Sequence, residues 1–146
     1  MSNTDNIHRV IIRKLLQRKM SHFSTIKTKI KDKEALLEAL EMLNYEVEVD
    51  KTLENPANHQ HEEVNVHVAV GKDIGFRFNP TTETYELVTD LQTWNEPIPV
   101  ERFLDKLSQQ YARMVLHKAV KEEGFTIQEE WEMEDNSIEL TVTRWD

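Results

Sequence analysis

The stretch Val64-Asn65-Val66-His67-Val68-Ala69-Val70, followed by Gly71-Lys72-Asp73 and then Ile74-Gly75-Phe76-Arg77-Phe78, decides the fold class. Valines at 64, 66, 68 and 70 recur every second residue, the period of a strand with one buried face. Gly71-Lys72-Asp73 is too short for a crossover, so the strand of Ile74, Phe76 and Phe78 must run back antiparallel beside it. Asn79-Pro80-Thr81-Thr82 turns the chain again, and Tyr85 to Leu91 returns. Three antiparallel strands therefore lie at the centre of the chain.

Working outward toward the N-terminus, residues 51–62 contain Asn55-Pro56 and lack periodicity, which predicts a loop. Before it, Tyr45, Val47 and Val49 alternate with acids as a strand. Leu36, Leu40 and Leu43, with Leu37 beside them, recur at helical spacing behind Asp32, a good N-cap, with Glu34 in the first turn. Phe23 to Ile30 alternates as a further strand. Toward the C-terminus, Pro97 and Pro99 precede a long helix with an apolar face of Phe103, Leu104, Leu107, Tyr111, Met114, Val115 and Ala119, stopped at Gly124. Phe125, Ile127 and Trp131, then Ile138, Leu140 and Val142, flank a turn at Glu134-Asp135-Asn136-Ser137. The expectation is an α+β fold in the order β-α-β-β-β-β-α-β-β: a single mainly antiparallel sheet with two amphipathic helices on one face. A strand-helix-strand-strand order recurs at 23–70 and 84–145. It reads either as an old duplication with a pseudo-twofold sheet or as the default of a helix returning to an antiparallel sheet.

The chain has 146 residues, with Lys and Arg numbering 18 and Asp and Glu 27, for a net charge of −9. That charge is uneven. Residues 1–19 carry five basic residues against Asp5, net +4, whereas 20–146 carry 13 basic and 26 acidic residues, net −13. Ile7, Ile11 and Leu15 mark 1–19 as a basic amphipathic helical extension. It is read as dispensable if Met20 is the native start, as docking on the acidic body, or as a targeting or membrane-contacting segment. Residues 20–146 are read as one α+β domain. No apolar run reaches the ~18 residues of a membrane span. With no cysteine, disulfides, thiolate metal sites and cysteine nucleophiles are excluded. There is no glycine-rich phosphate loop, no dinucleotide fingerprint and no nucleophile elbow. No cofactor is expected.

Asp90, Gln92 and Trp94 lie where a strand runs out before the Pro97 turn, and with Arg144 they form the candidate ligand- or partner-binding set. An acid, an amide and an indole can read a polar ligand or a peptide. Their structural reading is that Trp94 covers a helix base while Asp90 and Gln92 bond to loop backbone. His59 and His61, with Glu62, Glu63 and His67 nearby, have a spacing seen in metal sites, but zinc wants convergent ligands, and a solvated polar loop is the default. Arg77 reads as a solvated strand arginine. In the last hairpin, pairing Met133 with Ile138 puts Trp131 opposite Leu140 and Glu129 diagonal to Arg144 on the apolar face, as an ion pair closing the sheet edge. The opposite face then carries Glu130, Glu132 and Glu139. Residues 122–146 hold nine acids against Arg144 alone, net −8, a surface that repels phosphate and suits a basic partner.

Met20-Ser21-His22-Phe23-Ser24 resembles the start of the hypothetical chloroplast open reading frame thirty-five family of cyanobacteria and algal plastids, a domain of unknown function. Further matches are Asp73-Ile74-Gly75-Phe76, Tyr85-Glu86-Leu87, Asp90-Leu91-Gln92 with Trp94, Val100-Glu101-Arg102-Phe103-Leu104, Gln110-Tyr111-Ala112, Gly124-Phe125 and Arg144-Trp145. Together they span 20–145. The departures are 1–19, the acid after Trp145 and the loop at 51–62. The resemblance implies a cytoplasmic or stromal protein of a photosynthetic lineage, or of a virus infecting one, and it implies no activity. Two functions follow as expectations. The first is a non-enzymatic accessory or interaction module that binds another protein through acidic surface, with no nucleic acid expected on the body. The second is an enzyme or ligand-binding domain with a polar pocket near Asp90, Gln92 and Trp94.

Overall fold

A computed structural model of the chain describes residues 22–55, 62–135 and 137–144. The expected extension at 1–19 and the pair His59 and His61 lie outside them. The observed elements are β1 (Ser24–Lys27), α1 (Lys33–Met42), β2 (Glu48–Glu54), β3 (Glu63–Ala69), β4 (Ile74–Asn79), β5 (Thr84–Thr89), α2 (Val100–Glu122), β6 (Phe125–Glu132) and β7 (Ile138–Arg144). The fold is α+β, in the order the hydrophobic pattern predicts. Its described residues fall into two compact units: 22–29 with 48–55 and 62–95, and 30–47 with 96–135 and 137–144.

The first unit is a five-stranded antiparallel sheet of order β1-β5-β4-β3-β2. Its core includes Leu53, Val66, Ala69 and Val88, with Phe23 and Val64 packed against them. Gly75 is required here by close approach: a Cβ would lie 2.8 Å from Val66 Cγ2 and 3.0 Å from Leu53 Cδ1. The ladder between β3 and β4 joins only Val68 to Phe76 and Ala69 to Gly75. Beyond it, the Phe78 N–H donates to His67 Nδ1 at 3.0 Å. An acceptor nitrogen carries no proton, so the His67 ring proton sits on Nε2. The loop expected at 51–62 begins later, because 51–54 continue β2. That segment lacks a periodic signal because β2 is an edge strand whose one buried residue is Leu53.

The second unit joins the two helices and a two-stranded sheet. Asp32 caps α1, accepting from the Ala35 N–H at 3.1 Å. Asn44, in the left-handed region at φ 66°, ends it. Its N–H donates to the Glu41 carbonyl at 2.9 Å, and the Tyr45 N–H donates to the Leu40 carbonyl at 3.0 Å, a Schellman closure. Tyr45 then meets Phe103 of α2 edge-on, with centroids 5.4 Å apart. The Tyr111 hydroxyl of α2 accepts from the N–H groups of both Lys31 and Asp32 at 2.9 Å, tying α2 to the start of α1. Lys118 Nζ reaches Asp32 Oδ2 at 3.1 Å. The hydrogen bond from the Ala35 N–H, then Lys118, hold the Asp32 carboxyl below its ordinary range despite partial burial.

Among the described residues the seven strands divide between two sheets where one was expected, because β6 and β7 pair there only with each other. An alternating pattern says that one face of a strand is covered but does not name what covers it. For this hairpin the cover is α2, through Gln109, Arg113 and His117. The echoed halves therefore share no pseudo-twofold sheet, although both helices do end on a left-handed residue followed by an aromatic.

Candidate functional site

Asp90 leaves β5 at the edge of the first unit and is 2% exposed. Its Oδ2 accepts from Asn55 Nδ2 at 2.9 Å and its Oδ1 from the Gln92 N–H at 2.9 Å. Its carbonyl accepts from the Thr93 N–H at 3.2 Å. Asn55 is itself 3% exposed, and its N–H donates to the Glu62 carbonyl at 3.1 Å. Glu62 Oε2 in turn accepts from the Phe23 N–H at 3.2 Å. One chain of hydrogen bonds thus runs from the β5 exit through Asn55 and Glu62 to the lead into β1. This is how a buried carboxylate is tolerated: its oxygens are satisfied by fixed donors. Gln92 is exposed and Trp94 half-buried. Arg144 belongs to the second unit, at the end of β7, where its guanidinium lies 5.0 Å from the centroid of the Phe125 ring.

The hairpin departs from the expected register. Phe125 faces Arg144 and Ile127 faces Val142, but a bulge at Gln128 follows, after which Glu129 faces Thr141, Glu130 faces Leu140 and Trp131 faces Glu139. An extra residue in one strand reverses which side chains point to which face. Phe125 and Ile127 point toward α2 before the bulge; Glu130 and Glu132 do so after it. Trp131 and Met133 are thereby turned to the outer face, 46% and 40% exposed. The Glu129–Arg144 pair read from the sequence is replaced by Arg144 over Phe125. Of the three acids expected together on one face, only Glu139 is on the outer one.

Glu130 meets two α2 side chains one turn apart. Arg113 Nη2 donates to its Oε2 at 3.2 Å, while Nε approaches Oε1 at 2.5 Å too obliquely for an aligned bond, an ion pair only. His117 Nε2 lies 2.9 Å from Oε2. Burial pushes the Glu130 carboxyl up, but Arg113 and His117 together bring it below the ordinary glutamate range. Next to it, Gln109 Nε2 donates to Glu132 Oε1 at 2.8 Å. Gln109, Gln110, Arg113, Glu130, Glu132 and Ile138 line a shallow recess of about 210 Å³. Its polar groups are largely spent on one another, so its chemistry is that of a clamp fixing the hairpin on α2. Sequence reading missed Arg113 and His117 and set Glu130 on an acidic outer face; the one available signal was Glu129, a polar residue in the apolar phase of Phe125, Ile127, Trp131 and Met133.

The outer face presents Trp131 and Met133 beside the exposed carboxylates of Glu129 and Glu139, with Thr141 and Thr143 completing β7. Among the described residues, no cluster of histidine and carboxylate side chains is placed to hold a metal ion. No helix among them is long and apolar enough to cross a membrane.

Residues 39–141 match the family described as "Protein of unknown function (DUF1257)". The chain is 37% identical over 131 residues to "Uncharacterized protein ycf35" of Pyropia yezoensis, covering 86% of this chain and 98% of that one. It is 38% identical over 128 residues to the protein of the same name from Guillardia theta, and 35% identical over 128 residues to that of Cyanophora paradoxa, again covering 86% and 98%. No solved structure matches the chain.

Proposed function

Since the chain belongs to this family of unknown function, with ycf35 proteins of algae as its relatives, we propose from its own geometry that it is a non-enzymatic interaction module. Its partner is another protein with a basic surface, in the plastid stroma or the cytoplasm of a photosynthetic cell. One observation carries this reading: the Gln128 bulge turns Trp131 and Met133 outward among carboxylates. A large indole half open to water, rimmed by acids, is the composition of an interface anchor for a cationic side chain. Phosphate is repelled by the same charges, so nucleic acid does not suit this face. The buried Asp90, with its oxygens already accepting hydrogen bonds, acts as a brace that holds the β5 exit. Gln92, Trp94 and Arg144 have no catalytic role in this reading.

Affinity capture with the full chain from a lysate of the source cell tests the proposal, with Glu129→Lys/Trp131→Ala/Glu139→Lys as the comparison. One partner recovered near stoichiometry by the native chain, weakened by salt and lost with the triple variant, is the expected result. A partner held equally by both proteins would place the interaction elsewhere, and no partner at any salt would contradict the module.

A further inference from the structure

We infer that the outer edge of β7 is the docking line, and that the partner adds a third strand to the hairpin with basic residues at alternate positions. This rests on the interaction reading above and specifies how the partner binds. Two observations carry it. The first is backbone geometry. The Met133 N–H donates to the Ser137 carbonyl at 2.8 Å, which fixes the phase of the ladder. With Glu132 opposite Ile138 and Glu130 opposite Leu140, the N–H and C=O groups of Ile138, Leu140 and Val142 point away from β6. Among the described residues no strand pairs with them. The β6 edge is interrupted by the bulge, whereas β7 is seven residues without irregularity. An unprotected edge of that kind is a template for strand addition.

The second observation is the difference between the two faces beside that edge. On the α2 side lie Ile138, Leu140 and Val142, half-buried; on the outer side lie Glu139, Thr141 and Thr143, with Trp131 directly across from Glu139. A strand laid along β7 would place alternate side chains on these two surfaces. The fitting occupant is therefore an extended segment alternating Lys or Arg with Val or Ile: its cations lie beside Glu139 and Trp131, and its apolar residues extend the row of Leu140 and Val142. A second copy of β7 offers Glu139, Thr141 and Thr143 to the outer face and no cation to meet Glu139 there.

The test uses the full chain and two peptides. One is acetyl-Lys-Val-Arg-Val-Lys-Val-Arg-amide. The other has the same side chains and charge but carries N-methyl groups on alternate residues, removing the N–H donors that would face β7. Amide exchange is followed across 138–144, and affinity is read by anisotropy of the labelled peptides. The expected result is slowed exchange at Ile138, Leu140 and Val142 with the first peptide. Methylation should weaken binding roughly tenfold or more, because each lost main-chain hydrogen bond is worth a factor of a few. Trp131→Ala, at a position 46% exposed, should weaken the first peptide several-fold while the variant's melting temperature confirms that it is folded. Equal binding of both peptides with unchanged exchange would overturn strand addition while leaving the acidic interaction surface standing. Binding of neither would also overturn it, and the lysate capture above then decides separately whether the module reading stands. Protection already present without peptide, or rising with protein concentration, would show the edge occupied by this chain itself or by a second copy, and would overturn it too.

Discussion

Replacing Asp90 by alanine separates a brace from a ligand-binding acid. The carboxylate is 2% exposed and accepts two hydrogen bonds of 2.9 Å, from Asn55 Nδ2 and the Gln92 N–H. Alanine takes this acceptor from the buried Asn55 amide and from the part-buried Gln92 N–H. A buried donor that loses its acceptor costs about 1–3 kcal/mol and the part-buried Gln92 N–H somewhat less, so the variant loses about 2–5 kcal/mol. For a chain of this length one kcal/mol moves Tm by about 4 °C, which puts the fall at roughly 8–20 °C. Asp90→Asn keeps one acceptor oxygen, and the Asn55 amide can turn to meet the new group, so its fall is about half as large. Differential scanning calorimetry of the three proteins at neutral pH reads both values. An Asp90→Ala protein melting within about 2 °C of the native one would refute the brace, since a buried amide donor cannot lose its acceptor at no cost.

Two further outcomes follow from the second unit. Tyr111→Phe removes the one hydroxyl that accepts from both Lys31 and Asp32, and urea unfolding should show a loss of about 1–3 kcal/mol, less if water replaces the hydroxyl. Glu130 has a folded pKa below its unfolded one, so its clamp on Arg113 and His117 contributes stability that is fully present above the ordinary glutamate range and is lost as pH falls through the folded value. Glu130→Gln should accordingly melt lower than the native chain at pH 7, by about 1–3 kcal/mol in stability, and the gap should narrow as pH falls below the ordinary glutamate range.

How far the fold was legible depends on where each residue's partner lies. The valines at 64, 66 and 68 and the caps at Asp32 and Gly124 are local signals, and the structure places strands and helix ends where they say. The strand at 51–54 was not legible, because an edge strand with only Leu53 buried carries no alternation. The hairpin misled more sharply. Phe125, Ile127, Trp131 and Met133 all fall on odd positions, so a strict period of two puts them on one face. The Gln128 bulge breaks that period, and a bulge depends on how the ladder closes against β7, which sequence spacing does not record. Glu130 went unread as a clamp for the same reason. Asp90 stands out at a strand end, but its partner Asn55 is 35 residues away. From the sequence, an acid at a strand end looks the same whether a ligand or the fold uses it.

The most direct measurement of the central claim is site-specific photo-crosslinking in the source cell. Thr141→benzoylphenylalanine places the probe on the outer face beside Trp131 and Glu139; Glu38→benzoylphenylalanine places it on the exposed side of α1 as the reference. The account predicts one protein crosslinked through position 141, carrying basic residues at alternate positions in the crosslinked segment, and no such product through position 38. Crosslinking through position 38 alone, or the same products from both positions, would contradict it.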